Sequence, residues 1–479
     1  MLFTEPTFLF LFLPLLLLLI GWQRTHGRAS NLILLGASLL FYAKGGGIFT
    51  WLMLASMAFN YGMAIAIDRV RGTRLRAAQL LLTFAVGVDL AVLAVFKYTP
   101  FAVANLNGVR AVLGWHALTT PAIVLPIGIS FYTFHAISYV VDVWRRDATA
   151  QKSPVHAALY LLLFPQLIAG PIVRYRDIAP QLARRRVTLD DWAVGVQRFV
   201  IGLGKKLLIA NTLAGPVDKL FALPASQLSA PYAWLGIVCY TLQIYFDFSG
   251  YSDMAIGLAR LCGFRFLENF RWPYAADSVQ EFWRRWHISL SSWFRDYVYV
   301  PLGGNRVSVV RTYGNLVTVF FLCGLWHGAS WAFVVWGLYH GMFLVLERLG
   351  LGRWLAHRSA VLRHAYLLLA VMVGWVFFRA ETLADATQFL AAMAGHGGTE
   401  LHPLRLGWYL TPDVRLALVA GLVGSFPLAP AFHRWRDRQP GWRLHLADAT
   451  RAAMLLAVVG LSWMQVAGRA YNPFIYFRF

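Results

Sequence analysis

Apolar residues in this chain come in several long runs. Phe8–Trp22, Leu80–Phe96, Pro121–Val141, Tyr313–Leu325, Ser330–Leu346 and Ala365–Phe378 each approach the length of a bilayer-spanning helix, about 20 apolar residues. Two closing runs, Val414–Phe426 and Ala452–Val466, have the same character. Counted this way the chain holds roughly ten to twelve helical segments, some of them re-entrant. Because backbone polar groups inside a bilayer must bond within their own segment or in a closed barrel, the reading is an all-α, polytopic transmembrane protein.

The texture of the runs changes along the chain. Up to about Asp147, apolar segments alternate with short basic loops and carry little polar chemistry, as a scaffold does. From Pro154 to Asn305, Gly, Pro, Arg, Trp and ionisable residues interrupt the apolar stretches. Such interruptions are tolerated at membrane depth only where protein or a wet cavity surrounds them, so the functional centre is expected here and in the next span. Glu381–Pro412 is polar and reads as extramembrane. No internal repeat is evident, and no linker sets off a second domain. One domain over 1–479 is expected, with its functional core at about 126–346.

Composition agrees: 58% of residues are hydrophobic and only 14% are charged, more apolar surface than a soluble core can hide. The formal charge of +21 raises the question of nucleic acid. The positive residues, however, sit in short clusters between apolar runs: Arg69, Arg71, Arg74 and Arg76; Arg145 and Arg146; Arg174, Arg176 and Arg184–Arg186; Arg434, Arg436 and Arg438. That distribution fits the positive-inside rule and membrane lipid headgroups, and no nucleic-acid-binding motif accompanies it. Cys239, Cys262 and Cys323 show no CxxC spacing, so neither a disulfide framework nor a metal site is expected. Met1–Ile20 lacks a basic n-region and a small-residue cleavage site and reads as a first span, not a removed signal.

Chemistry concentrates in two places. The block Phe246–Arg306 alternates aromatic rings, arginines and carboxylates, including Asp247, Asp253, Arg285, Trp286 and His287. This suits a lined pocket at the membrane boundary; the structural alternative is an interfacial helix with an aromatic belt and snorkelling arginines. Asp247 and Asp253 could each orient a histidine or could serve as a helix cap. The second motif, Gly324-Leu325-Trp326-His327-Gly328-Ala329-Ser330-Trp331, sets a histidine into an apolar helix. A lone histidine there is often a satisfied core residue, but an ionisable group at membrane depth is costly, and imidazole is suited to taking a hydroxyl proton near neutral pH. Gly324 and Gly328 leave one face bare beside His327, room for a substrate or a neighbouring helix. The aromatic tail Tyr471–Phe479 reads either as an interfacial anchor or as a segment docked on the protein body or a partner.

The run Trp283–Ser291 and the WHGxxW pattern of Trp326–Trp331 come after Gly128–Phe134 and Phe164–Arg174 in the chain, and the order and spacing of the four resemble the membrane-bound O-acyltransferase superfamily. The tail Phe474–Phe479 is similar to the ending of proteins of its alginate O-acetylation branch. The resemblance implies a ring of helices around a central funnel, with His327 as the catalytic histidine and His287 as the second motif histidine. Trp286, Trp326, Trp331, Asp253 and Arg285 are the candidates for binding substrate. It also implies a bacterial inner-membrane, multi-pass enzyme with no bound cofactor and with acetyl-CoA as the expected acyl-thioester donor. The expected partner is a periplasmic acetyltransferase or acyl carrier of a polysaccharide-modification system. Two other readings stay open: a transporter or flippase of an acyl donor or lipid-linked sugar, and an acyltransferase acting on a membrane lipid.

Overall fold

The computed structural model describes residues 1–21, 27–398, 405–468 and 474–475, and every regular element among them is a helix. Among the described residues six helices are long and apolar enough to cross a membrane: Phe49–Arg71, Leu75–Val112, Val309–His327, Trp331–Ala356, Ala360–Arg379 and Gly441–Gly468. The bent pair Pro412–Gly424 and Leu428–Arg436 makes a seventh if it is one span. This is fewer than the apolar runs suggest. Pro121, Pro126 and Gly128 keep the first part of the Pro121–Val141 run out of a helix. What remains, Ile129–Arg145, is a 17-residue helix with thirteen of its side chains buried in protein. Apolar sequence alone does not separate a lipid-facing span from such a core helix.

The chain groups into two compact units, Met1–Phe199 with Met254–Leu267, and Val200–Asp253 with Glu268–Phe479. In the first, Phe49–Arg71, Leu75–Val112 and Ile129–Arg145 pack on one another. The Leu75–Val112 helix turns a stripe of Ala78, Ala85, Asp89, Leu93 and Lys97 inward while Leu80, Phe84, Leu90 and Val95 stand exposed. This inverts the soluble pattern, as expected where lipid is the solvent and the ionisable groups need protein partners. Asp89 finds one in Asn60, whose Nδ2 donates to it at 2.8 Å. Arg71 donates to the carbonyl of Val143 at 2.9 Å, so the basic ends of two of these helices lie on one face.

In the second unit, Val309–His327 and Trp331–Leu346 form an antiparallel hairpin joined by Gly328, Ala329 and Ser330. Their close approach depends on glycine. A Cβ on Gly324 would lie 2.4 Å from the carbonyl oxygen of Phe333, and one on Gly337 would lie 2.3 Å from that of Phe320. On Gly328 it would meet the Phe333 ring at 2.2 Å. The glycine face beside His327 is therefore filled by the neighbouring helix, and of the two uses expected for it the structure selects packing.

The block Phe246–Arg306 starts on the long helix Ala230–Leu261 and then breaks into two short helices, Val279–Arg285 and Ile288–Phe294. Neither is long enough to be stable alone. Glu347, itself buried, accepts the N–H groups of Val279 at 2.7 Å and Gln280 at 2.9 Å, and Tyr366 OH at 3.0 Å. A carboxylate at a helix N-terminus satisfies orphan donors and meets the positive end of the helix dipole, so Glu347 fixes this short helix in place.

Candidate functional site

The two motif histidines reach the same aromatic cluster from different elements of the second unit. His327 is the last residue of its helix and is 4% exposed. Its ring meets Trp336 edge-on at 4.8 Å, Trp326 at 4.9 Å and Phe378 at 5.2 Å. His287 is fully buried, with its ring 6.2 Å from Trp326 and 4.6 Å from Phe248, so Trp326 touches both imidazoles.

His287 is held with unusual care. Its backbone is left-handed, φ 44° and ψ 54°, a conformation costly for a non-glycine residue and kept only where the surroundings impose it. Asn269 imposes it. Its backbone carbonyl accepts the Ile288 N–H at 2.9 Å. Its side-chain oxygen accepts the Ser289 N–H at 3.2 Å and the Ser289 hydroxyl at 2.9 Å, and lies 3.1 Å from His287 Nδ1. The amide nitrogen donates to Ser252 at 3.0 Å, and the Ser289 backbone N–H, which can only donate, settles which end of the amide is oxygen. A carbonyl oxygen only accepts, so Nδ1 carries the proton and the neutral ring presents Nε2 as the basic nitrogen. Asn269 thus plays the orienting part that the sequence left open for Asp247 or Asp253.

The carboxylates are engaged elsewhere: Asp253 pairs with Lys205 at 2.8 Å, and Asp247 pairs with Lys206 and accepts the N–H of Ile475 at 2.8 Å. Trp286 is buried against Tyr245, Phe270, Phe282 and Trp375, as a wall residue of the aromatic cluster. Arg285 is half-buried and bonds Glu281 at 2.8 Å. Trp331 opens the second helix of the hairpin and is 53% exposed, outside the cluster that surrounds the histidines. His340, which no motif singles out, is fully buried between Trp283 and Trp336, at 5.2 and 5.3 Å, and neither of its ring nitrogens has a hydrogen-bond partner among the described residues. The Nε1 of Trp336 is likewise without an acceptor there.

A cavity of about 470 Å³ lies along the Val309–His327 helix. Its walls include Leu316, Val319, Phe320 and Cys323 of that helix, and its polar side carries Arg284, Arg295 and Arg348 with no carboxylate in the lining. Arg284 and Arg295 are paired outside it with Glu281 and Asp296. Helical periodicity puts Leu316, Phe320, Cys323 and His327 on one face, so the wall of the cavity ends one turn short of the imidazole. The end of the hairpin away from His327 is rich in arginine, with Arg306 and Arg311 at its start and Arg348, Arg353 and Arg358 at its close.

The described residues thus define an all-α, polytopic membrane protein in which the two motif histidines share one buried aromatic cluster. The sequence profile of the membrane-bound O-acyltransferase family matches residues 129–380, just over half of the chain, and the chain belongs to this family. It is an O-acyltransferase. It is 42% identical to the "Probable alginate O-acetylase AlgI" of Azotobacter vinelandii, with 100% of both chains covered. It is 33% identical to the peptidoglycan O-acetyltransferase of Helicobacter pylori over 100% of this chain and 98% of that one. It is 30% identical to the teichoic acid D-alanyltransferase of Bacillus subtilis over 46% of this chain and 58% of that one.

Proposed function

We propose that this chain is an inner-membrane O-acetyltransferase that takes an acetyl group from a cytoplasmic thioester, acetyl-CoA, and hands it across the membrane for O-acetylation of an exopolysaccharide such as alginate. The observation that carries the reading is the continuous helix face from the arginine-rimmed cavity to His327. Arginine clusters mark the cytoplasmic side of a membrane protein, and guanidinium groups suit the phosphates of a nucleotide-bearing donor. The apolar inner wall suits its uncharged arm. His327 takes the proton of the acceptor hydroxyl as the oxygen attacks the thioester carbonyl. The carbon–sulfur bond then breaks, and the proton returns to the leaving thiolate. Full-length similarity to an alginate O-acetylase supports acetyl as the group and a polysaccharide pathway as its destination. A periplasmic acetyltransferase or acyl carrier is the partner this route requires.

The test is transfer of labelled acetyl from acetyl-CoA to a hydroxyl-bearing polysaccharide acceptor by the purified protein in liposomes, with the periplasmic acetyltransferase supplied. His327→Ala should lose about 10²–10⁴-fold in rate, the usual worth of a positioned base, while keeping its expression and detergent stability. A well-folded His327→Ala protein that transfers at the wild-type rate overturns the assignment. Movement of donor across the bilayer without acyl transfer would favour a transporter, and label recovered in a membrane lipid would move the acceptor into the bilayer.

A further inference from the structure

The aromatic tail supplies a contact that the chemistry above does not use. Only Phe474 and Ile475 of Tyr471–Phe479 are among the described residues, and both are buried, at 1% and 4% exposure. An interfacial anchor would present its rings to headgroups, which Phe474 does not. Its ring packs 4.8 Å from Tyr251 and 5.7 Å from Phe248, and Phe248 in turn stands edge-on to His287 at 4.6 Å and 89°. The backbone is secured as well: the Ile475 N–H donates to Asp247 at 2.8 Å, 228 residues away. Asp247 is itself buried and ion-paired with buried Lys206. A buried ion pair is a weak source of stability unless its remaining lone pairs are satisfied, and here one of them is satisfied by the tail.

We propose that Phe474–Ile475 is a clamp that positions His287, with Phe474 acting through Phe248 and with the Asp247–Lys206 pair as the socket for the tail amide. Phe474 is a positioning residue and touches no reacting atom. The proposal rests on His287 belonging to the acyl-transfer site, but its geometric core, tail to Phe248 to His287, is testable without turnover. A base displaced by about 1 Å can cost on the order of 10²-fold in rate, so a wall that moves with the tail is enough to matter.

The experiment compares full-length wild type with Phe474→Ala, Phe474→Leu and Ile475→Pro, the last removing the N–H that Asp247 accepts while also fixing the backbone at 475, with Ile475→Val as the control for side-chain loss. Modification of His287 by diethyl pyrocarbonate, read by mass spectrometry, reports its packing directly. Acetyl transfer in liposomes reports kcat and KM for the donor. Phe474→Ala and Ile475→Pro should speed modification of His287 at least several-fold and lower kcat about ten- to hundredfold with KM little changed. Phe474→Leu and Ile475→Val should restore most of both. Unchanged modification and unchanged kcat in a folded Phe474→Ala protein overturn the clamp. So does a series in which activity and melting temperature fall together with no preferential exposure of His287. If wild type shows no acetyl transfer, the proposed function fails, while the modification series still decides the clamp.

Discussion

Asn269→Leu removes the carbonyl that holds His287 and keeps the branched shape of the side chain, with a somewhat larger volume. Four hydrogen bonds are lost, three accepted by the side-chain oxygen and one donated to Ser252. The hydroxyls of Ser252 and Ser289 can rotate toward other acceptors, but the buried Ser289 N–H cannot, and an unpaired buried donor costs about 1–3 kcal/mol. With the left-handed turn at His287 no longer imposed by its side-chain partner, about 2–4 kcal/mol of stability should be lost. The effect on catalysis is separate: with Nδ1 unbound the imidazole populates both tautomers and other rotamers, and transfer should fall about 10²-fold. Asn269→Asp keeps the acceptor and tests the same logic from the other side. A carboxylate against Nδ1 favours imidazolium and raises the histidine pKa, so if neutral His287 is required, the acid limb of the rate–pH profile moves to higher pH. The assay is acetyl transfer in liposomes from about pH 5 to 9, with thermal melting in detergent alongside. A folded Asn269→Leu protein with wild-type kcat, together with an Asn269→Asp profile that does not move, refutes the role given to Asn269.

Gly324→Ala should destabilise the hairpin severely, by about 3 kcal/mol or more, because the added carbon meets a backbone carbonyl at 2.4 Å that cannot turn aside; yield and melting of the folded protein check this, and Gly314→Ala, with open space at its Cβ, is the control. Arg348→Ala and Arg284→Ala should raise KM for acetyl-CoA several-fold each and flatten its dependence on salt, with kcat little changed, since both line the cavity away from His327; an unchanged KM in the double variant places the donor elsewhere. Trp336→Phe keeps a ring against His327 and deletes an indole N–H that has no acceptor among the described residues. If that N–H donates to the developing oxyanion, kcat falls about 10²-fold, and a near-wild-type kcat removes Trp336 from the chemistry.

Local sequence determined a great deal about this protein. Long apolar runs can only be helices in a bilayer, and a histidine set into one of them stands out because it is costly there. The all-α membrane class and the two histidine motifs were therefore legible without coordinates, as was the family resemblance, which rests on contiguous residues around them. Tertiary structure decided what contiguous sequence does not encode. Proline and glycine around Pro121–Gly128 confined the helix of that run to Ile129–Arg145, which protein packing buries, and packing against Phe333 consumed the bare face at Gly324 and Gly328. The sequence marked Asn269 only as part of the block Phe246–Arg306 and Phe474 only as part of an aromatic tail, and Glu347 not at all, yet one orients His287, one backs its aromatic wall, and one anchors its helical support. Their partners lie 18, 68 and 226 residues away or, for the tail amide, 228, and which buried donor meets which acceptor is set only when the chain folds, since nothing in the local pattern distinguishes a buried asparagine that orients a base from one that faces water.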